Sequence, residues 1–195
     1  MTTRQTQLLT VAIVTLSFFV TTCSKDVCDN YTELTDHNHL VDLSPLNGAH
    51  ELLDTLTKYP QLQVYRVLNN QYCYGMQCNV FYKGFKVFTD YYALYKSKSD
   101  NNIYTADPAI VDTINISLTA SIQFDKAISI ARQNMNYSNT CISYRLGIYN
   151  LNAGTSNQTK NYKLIWKIQG ENGYPVVDLD ANSGQVYYAF DGKEQ

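Results

Sequence analysis

The chain has 195 residues, 45% of them hydrophobic and 16% charged, which excludes a disordered polymer and leaves room for one ordinary domain or two small ones. Fifteen Lys and Arg stand against 17 Asp and Glu, a formal net charge of -2, so the chain lacks the basic excess that a nucleic-acid backbone requires of a partner. Seventeen tyrosines mark a polar-aromatic surface of the kind found on exported proteins and on binding faces.

Residues 1–22 read as a signal peptide. Arg4 precedes an apolar run from Leu8 to Val20 that would rise about 20 Å as a helix, short of the ~30 Å hydrocarbon core. Val20-Thr21-Thr22-Cys23 is similar to a bacterial lipoprotein signal, with Thr22 where Ala or Gly is usual. Ser24-Lys25-Asp26 resembles the export signals of surface lipoproteins in Bacteroidetes-type bacteria. The resemblance implies lipidation of Cys23 and a place in the cell envelope, at the outer membrane or cell surface. Plain cleavage near residue 22, giving a secreted or periplasmic protein, is the alternative. Both compartments are oxidising. With Cys23 set aside, Cys28, Cys73, Cys78 and Cys141 form an even set. A turn around Gly75 would bring Cys73 and Cys78 together as a disulfide and leave Cys28 for Cys141. Half of a zinc site is the competing use of the close pair, but no nearby His completes it.

Residues 23–46, rich in Asp, Asn and Thr, read as a tether or N-terminal arm. From Asn47, an expected helix cap, Leu52, Leu53 and Leu56 share one helical face until Pro60. Leu62 to Tyr72 reads as a strand with one irregularity. Strands flanking Lys83-Gly84 make a hairpin in which Gly84 takes a positive φ. Tyr91 to Tyr95 continues it, and Lys96 to Asn102 is the expected linker between a first unit, 47–106, and a second, 107–195. The second opens with Ser121 as a cap and a helix on Phe124, Ala127, Ile128, Ile130 and Ala131. Strands follow at Thr140 to Tyr149, at Tyr162 to Ile168 with strict alternation, at Pro175 to Leu179 and at Gln185 to Phe190. Both halves place a helix before antiparallel strands. That pattern predicts an α+β fold with each helix packed on one face of an antiparallel sheet.

Three segments carry a family resemblance. The helix from Phe124 to Ala131, the strand Lys163-Leu164-Ile165-Trp166-Lys167-Ile168, and Tyr174 to Val186 ending in Asp180-Ala181-Asn182-Ser183-Gly184-Gln185-Val186 resemble, in that order, the PepSY domain found in propeptides of thermolysin-like metalloproteases and in exported modules. Upstream, Tyr82-Lys83-Gly84-Phe85-Lys86-Val87-Phe88 resembles the hairpin of the fungalysin/thermolysin propeptide motif, with Lys86 where that motif carries Pro. The resemblance implies two propeptide-like (cystatin-like) units and inhibition or folding assistance of a peptidase. Ala127, Ala131, Leu164 and Trp166 are expected as core anchors. Asp180 should accept backbone N–H groups of its own turn, with Gly184 in the left-handed position.

Little else suggests reaction chemistry. His50-Glu51-Leu52-Leu53-Asp54 begins like a metalloprotease zinc helix, but Asp54 holds the second ligand position. His37 and His39 are a weak metal pair. Asp178 and Asp180 share one side of a strand and read as solvated. No catalytic residue, metal or cofactor is assigned. The reading is a non-catalytic, exported and lipid-anchored binding module for a secreted peptidase. An envelope-associated structural protein without a protease partner is the alternative. Tyr82, Phe85, Phe88, Tyr91, Tyr92, Tyr187 and Tyr188 are the candidate contacts, ordinary cross-strand packing being their other use.

Overall fold

The computed structural model describes residues 31–33, 41–106, 113–137, 141–155 and 159–193. The strands are β1 (Thr32–Glu33), β2 (Leu62–Asn69), β3 (Cys73–Tyr82), β4 (Phe85–Ser97), β5 (Ile103–Ala106), β6 (Ser143–Asn150), β7 (Tyr162–Gln169), β8 (Val176–Asp180) and β9 (Val186–Phe190), with helices α1 (His50–Lys58) and α2 (Phe124–Asn134). They join in one open nine-stranded sheet of order β2-β3-β4-β6-β7-β8-β9, with β5 on β4 and β1 on β6. The strands of the two halves therefore share one sheet rather than forming two separate ones.

The expectation of an antiparallel sheet is corrected at its middle. β4 meets β6 in parallel at Val87 and Ile148, and β1 also runs parallel to β6. The chain returns from β4 through α2 before entering β6, and a crossover of that length permits parallel pairing where a hairpin does not. Lys96 to Asn102, expected as a linker, instead closes a tight hairpin: Ser97 donates its N–H to Asn102 at 2.9 Å, and β5 folds back on β4. At the other hairpin Lys83 and Gly84 both take positive φ, 49° and 85°, the two-residue geometry that suits strand twist.

Side chains alternate across each strand, so the register sorts them into two faces. One face carries Val80, Val87, Ile148, Leu164, Trp166, Ile168, Val177 and Leu179, all buried. Both helices pack on it. Ala127, Ile128 and Ala131 of α2 and Leu52 of α1 complete the same core. The Trp166 ring lies near Phe124 and Tyr144, and its indole N–H donates to the Ile122 carbonyl at 2.8 Å. The expected caps are displaced. Ala49, wholly buried, stands at the start of α1, and Asn47 ends a 3-10 turn at Ser44–Leu46. Burial of Leu46 and Ala49 decides where that helix begins. Ser121 spends its hydroxyl on Asn182 at 3.0 Å, and Gln123 begins α2.

The expected Cys73–Cys78 disulfide is not formed. β3 runs straight through Gly75 without a turn, and five residues of strand span about 16 Å and end on the opposite face. Cys73 and Cys78 are free thiols, and burial pushes Cys78 up to about 12. Gly75 instead lets the Tyr95 ring cross the strand. Cys141 is not a free thiol, while Cys28, its expected partner, lies outside the described residues, as does Cys23.

Two outcomes follow. In the native protein an alkylating reagent should label half-buried Cys73 and spare Cys78 until the chain is unfolded, as read by peptide mass mapping; protection of both as a linked pair would contradict the strand register. Gly147→Ala should lower stability by about 1–3 kcal/mol in urea unfolding. A Cβ there would meet the Phe88 ring and stand 2.8 Å from the Lys86 carbonyl, at the seam where β4 joins β6.

Candidate functional site

The strand faces turned away from the helices hold polar and aromatic groups. On β7, Lys163, Ile165 and Lys167 alternate with the core residues. The register sets Lys167 between Arg145 on β6 and Asp178 on β8. Lys167 donates from its ammonium to both Asp178 oxygens, at 3.1 and 3.2 Å. Asp178 is only 3% exposed. Burial pushes its carboxyl up, against the opposing pull of Lys167. The expectation of a solvated Asp178 is thus corrected: the strand is buried on both faces, and a carboxylate there needs a cation. The Lys167 ammonium also sits 5.3 Å from the Phe88 ring, which fills the space over Gly147. Next to it, the Arg145 guanidinium lies 5.7 Å from Phe81. Burial, then the charge at Asp178 and Tyr188, pushes the Tyr149 phenol up.

One strand end away, Asp180 organises its turn. Its Oδ1 accepts the N–H groups of Asn182 and Ser183, both at 2.8 Å, and Gly184 takes φ 78°. Its Oδ2 accepts the Tyr187 hydroxyl at 2.8 Å. Burial alone would raise Asp180, but these bonds outweigh it and the net direction is downward. Burial and the Asp180 charge push the Tyr187 phenol up to about 12. Beside this turn runs a shallow groove of about 440 Å³ bordered by Lys163, Asp180, Ser183 and Tyr187.

The seven candidate aromatics do not make one surface. Tyr92 is 8% exposed in the core, and Tyr82 and Phe85 pack against that core from the helix side, so these three offer a partner little. Phe88, Tyr91 and Tyr188 lie on the face that is helix-free among the described residues, Tyr91 and Tyr188 well exposed, and Tyr187 is tied to Asp180. The same face also bears exposed Tyr104, beside Tyr95, and exposed Tyr174, whose ring meets Phe190 edge-on at 5.5 Å. Sequence reasoning missed Tyr104, Tyr149, Tyr174, Arg145 and the Lys167–Asp178 pair. The signal was available in the strict alternation of β7: fixing Leu164, Trp166 and Ile168 as core assigns Lys163 and Lys167 to the other side. Asp178 amid valines and leucine marked the partner.

Among the described residues, no three His, Cys, Asp or Glu converge as a metal site, and no helix is long and apolar enough to cross a membrane. His50 is exposed at the start of α1; His37 and His39 lie outside the described residues.

The buried pair yields a test with a definite sign. A carboxyl raised on folding favours the fold below its unfolded pKa and ceases to as pH rises through the folded one. Lys167→Met strands Asp178 and should cost about 3–5 kcal/mol at pH 7. The deficit should shrink toward pH 4, where Asp178 takes up a proton. Lys167→Met with Asp178→Leu should recover most of it in urea unfolding. A single-variant deficit that does not change with pH would show that Asp178 is not the group left unpaired.

No family model matches the chain, and no curated protein matches it. Among solved structures it is similar to the Bacillus megaterium YpeB C-terminal domain, with 14% identity and a TM-score of 0.42 over 77% of this chain; the chain spans 65% of that one.

Proposed function

We propose that this protein is an exported, non-catalytic binding module that holds another exported protein, a peptidase, against the helix-free face of its sheet, and that it is tethered to the cell envelope through Cys23. The observation that carries this reading is the asymmetry of the sheet. α1 and α2 both cover one face, while exposed Tyr91, Tyr104, Tyr174 and Tyr188 collect on the other. Tyrosines give a large, rigid contact area with a polar tip, at low entropic cost for each contact. Among the described residues the outer strands β2 and β9 end the sheet path, and an outer strand of this kind is where an extended segment can pair. The choice of a peptidase rests on the resemblance of the α2, β7 and β8–β9 segments to PepSY modules, and the tether on the signal-like run ending at Cys23.

The full chain, carrying a C-terminal tag, is used to capture partners from envelope extract of its source cells, beside a Tyr91→Ser, Tyr188→Ser variant. Both side chains are about half exposed, so the variant should keep the circular dichroism and melting of the parent. An exported peptidase should be retained and stoichiometrically inhibited or stabilised by the parent, and retained about tenfold less by the variant. Recovery of envelope-assembly proteins alone, or capture indifferent to both tyrosines, would replace this reading with that of a structural envelope component. Mass spectrometry of the mature N-terminus should find Cys23 acylated; an unmodified residue there would remove the tether.

A further inference from the structure

On the reading that Cys23 carries the tether, we propose that Cys28 is bonded to Cys141, and that this disulfide latches the N-terminal arm onto α2 and β6 while leaving Cys23 as the cysteine open to lipidation. Cys141 is not a free thiol, whereas Cys73 and Cys78 are. With five cysteines in the chain, a bond from Cys141 to another of them reaches Cys23 or Cys28. The sheet favours Cys28. β1 runs parallel to β6, with Thr32 opposite Ser143 and Glu33 opposite Tyr144. In sequence Cys28 stands shortly before Thr32, and Cys141 shortly before Ser143, so both precede the pairing at the same end; Cys23 is five residues more remote.

Among the described residues the arm is held by few contacts. Its ladder has two residues. Tyr31 meets Phe124 edge-on at 5.1 Å, and its hydroxyl accepts a hydrogen bond from the Arg132 guanidinium at 3.0 Å. Phe124 opens α2 and Arg132 lies in its last turn, so the one tyrosine touches both ends of the helix. Pairing this short does not by itself offset the entropy lost in ordering an arm. A covalent closure narrows the unfolded ensemble and supplies what the contacts lack. Cys141 sits in the connection between α2 and β6, so a bond there fastens the arm beside the Phe124, Tyr144 and Trp166 rings. The bond forms by exchange with a disulfide-bearing oxidant of the export compartment. One protein thiolate attacks that disulfide and the second displaces the mixed disulfide; two electrons and two protons pass to the oxidant, which leaves as a dithiol.

The full-length protein, isolated from envelope and alkylated without reduction, is mapped by peptide mass spectrometry. The Cys28 and Cys141 peptides should run as one linked species that dithiothreitol separates. A Cys23–Cys141 species would overturn the latch and the tether together. Alkylated Cys28 and Cys141 beside an acylated Cys23 would overturn the latch alone, and a linked pair with an unmodified Cys23 would remove the tether alone. In hydrogen exchange, Cys28→Ser should speed exchange of peptides covering β1 and the Ser143–Tyr144 end of β6 about tenfold. Cys141→Ser should match it, and the double variant should add nothing further, as expected of two residues acting as one bond. Cys73→Ser, which removes a free thiol, should change none of these rates. Exchange unaltered in Cys28→Ser, or raised equally in Cys73→Ser, would overturn the latch.

Discussion

The Trp166 indole decides which side of the sheet the helices cover. Its ring fits among Phe124 and Tyr144, and its N–H is satisfied by the Ile122 carbonyl at the entry to α2. A buried indole without that acceptor would carry an unmet donor, so the helix entry and the strand face are mutually dependent. Once Trp166 is inward, period two places Leu164 and Ile168 with it and turns Lys163 and Lys167 away. Each neighbouring strand inherits the choice through its register, as far as α1, where Lys96 of β4 reaches Glu51 at 2.8 Å.

The opposite face pays for its polarity in a specific way. β8 is buried on both sides, yet two of its five residues are aspartates. Neither carboxylate is left to solvent. Asp180 is absorbed by a turn that supplies two N–H donors and a phenol, a local arrangement that sets its pKa down in spite of burial. Asp178 has no turn to use and takes a cation from the next strand, which does not fully offset its desolvation. Two acids two residues apart thus titrate in opposite directions because one is met by backbone dipoles and the other by a single lysine.

Where β4 and β6 come together, Gly147 makes the join possible. The Phe88 ring occupies the volume a side chain would take, and the Lys86 carbonyl closes in beside it. The parallel contact there unites a hairpin-rich first half with the β6–β9 meander, so that strands far apart in the chain contribute to one polar and aromatic face. Phe81 and Phe88 from the first half and Arg145, Lys167 and Tyr188 from the second meet only through this seam.

Much of this architecture was written locally. Alternation in Tyr162 to Ile168, the Lys83-Gly84 hairpin, the alanine-bearing helix and the Asp180-to-Gly184 turn depend on residues within a few positions of one another, and local sterics with hydrophobic periodicity suffice to specify them. Cys73 and Cys78 stay apart for the converse reason: their spacing does not determine whether Gly75 turns the chain or lets a ring from β4 pass over it, and here the Tyr95 ring passes. The parallel seam, the pairing of Lys167 with Asp178, the burial of Tyr92 and the gathering of Tyr91, Tyr104, Tyr174 and Tyr188 on one side required knowing which strands lie together. Register across long sequence separations is a property of the whole packed sheet, and it alone determines which polar groups share a face and which are closed off from water.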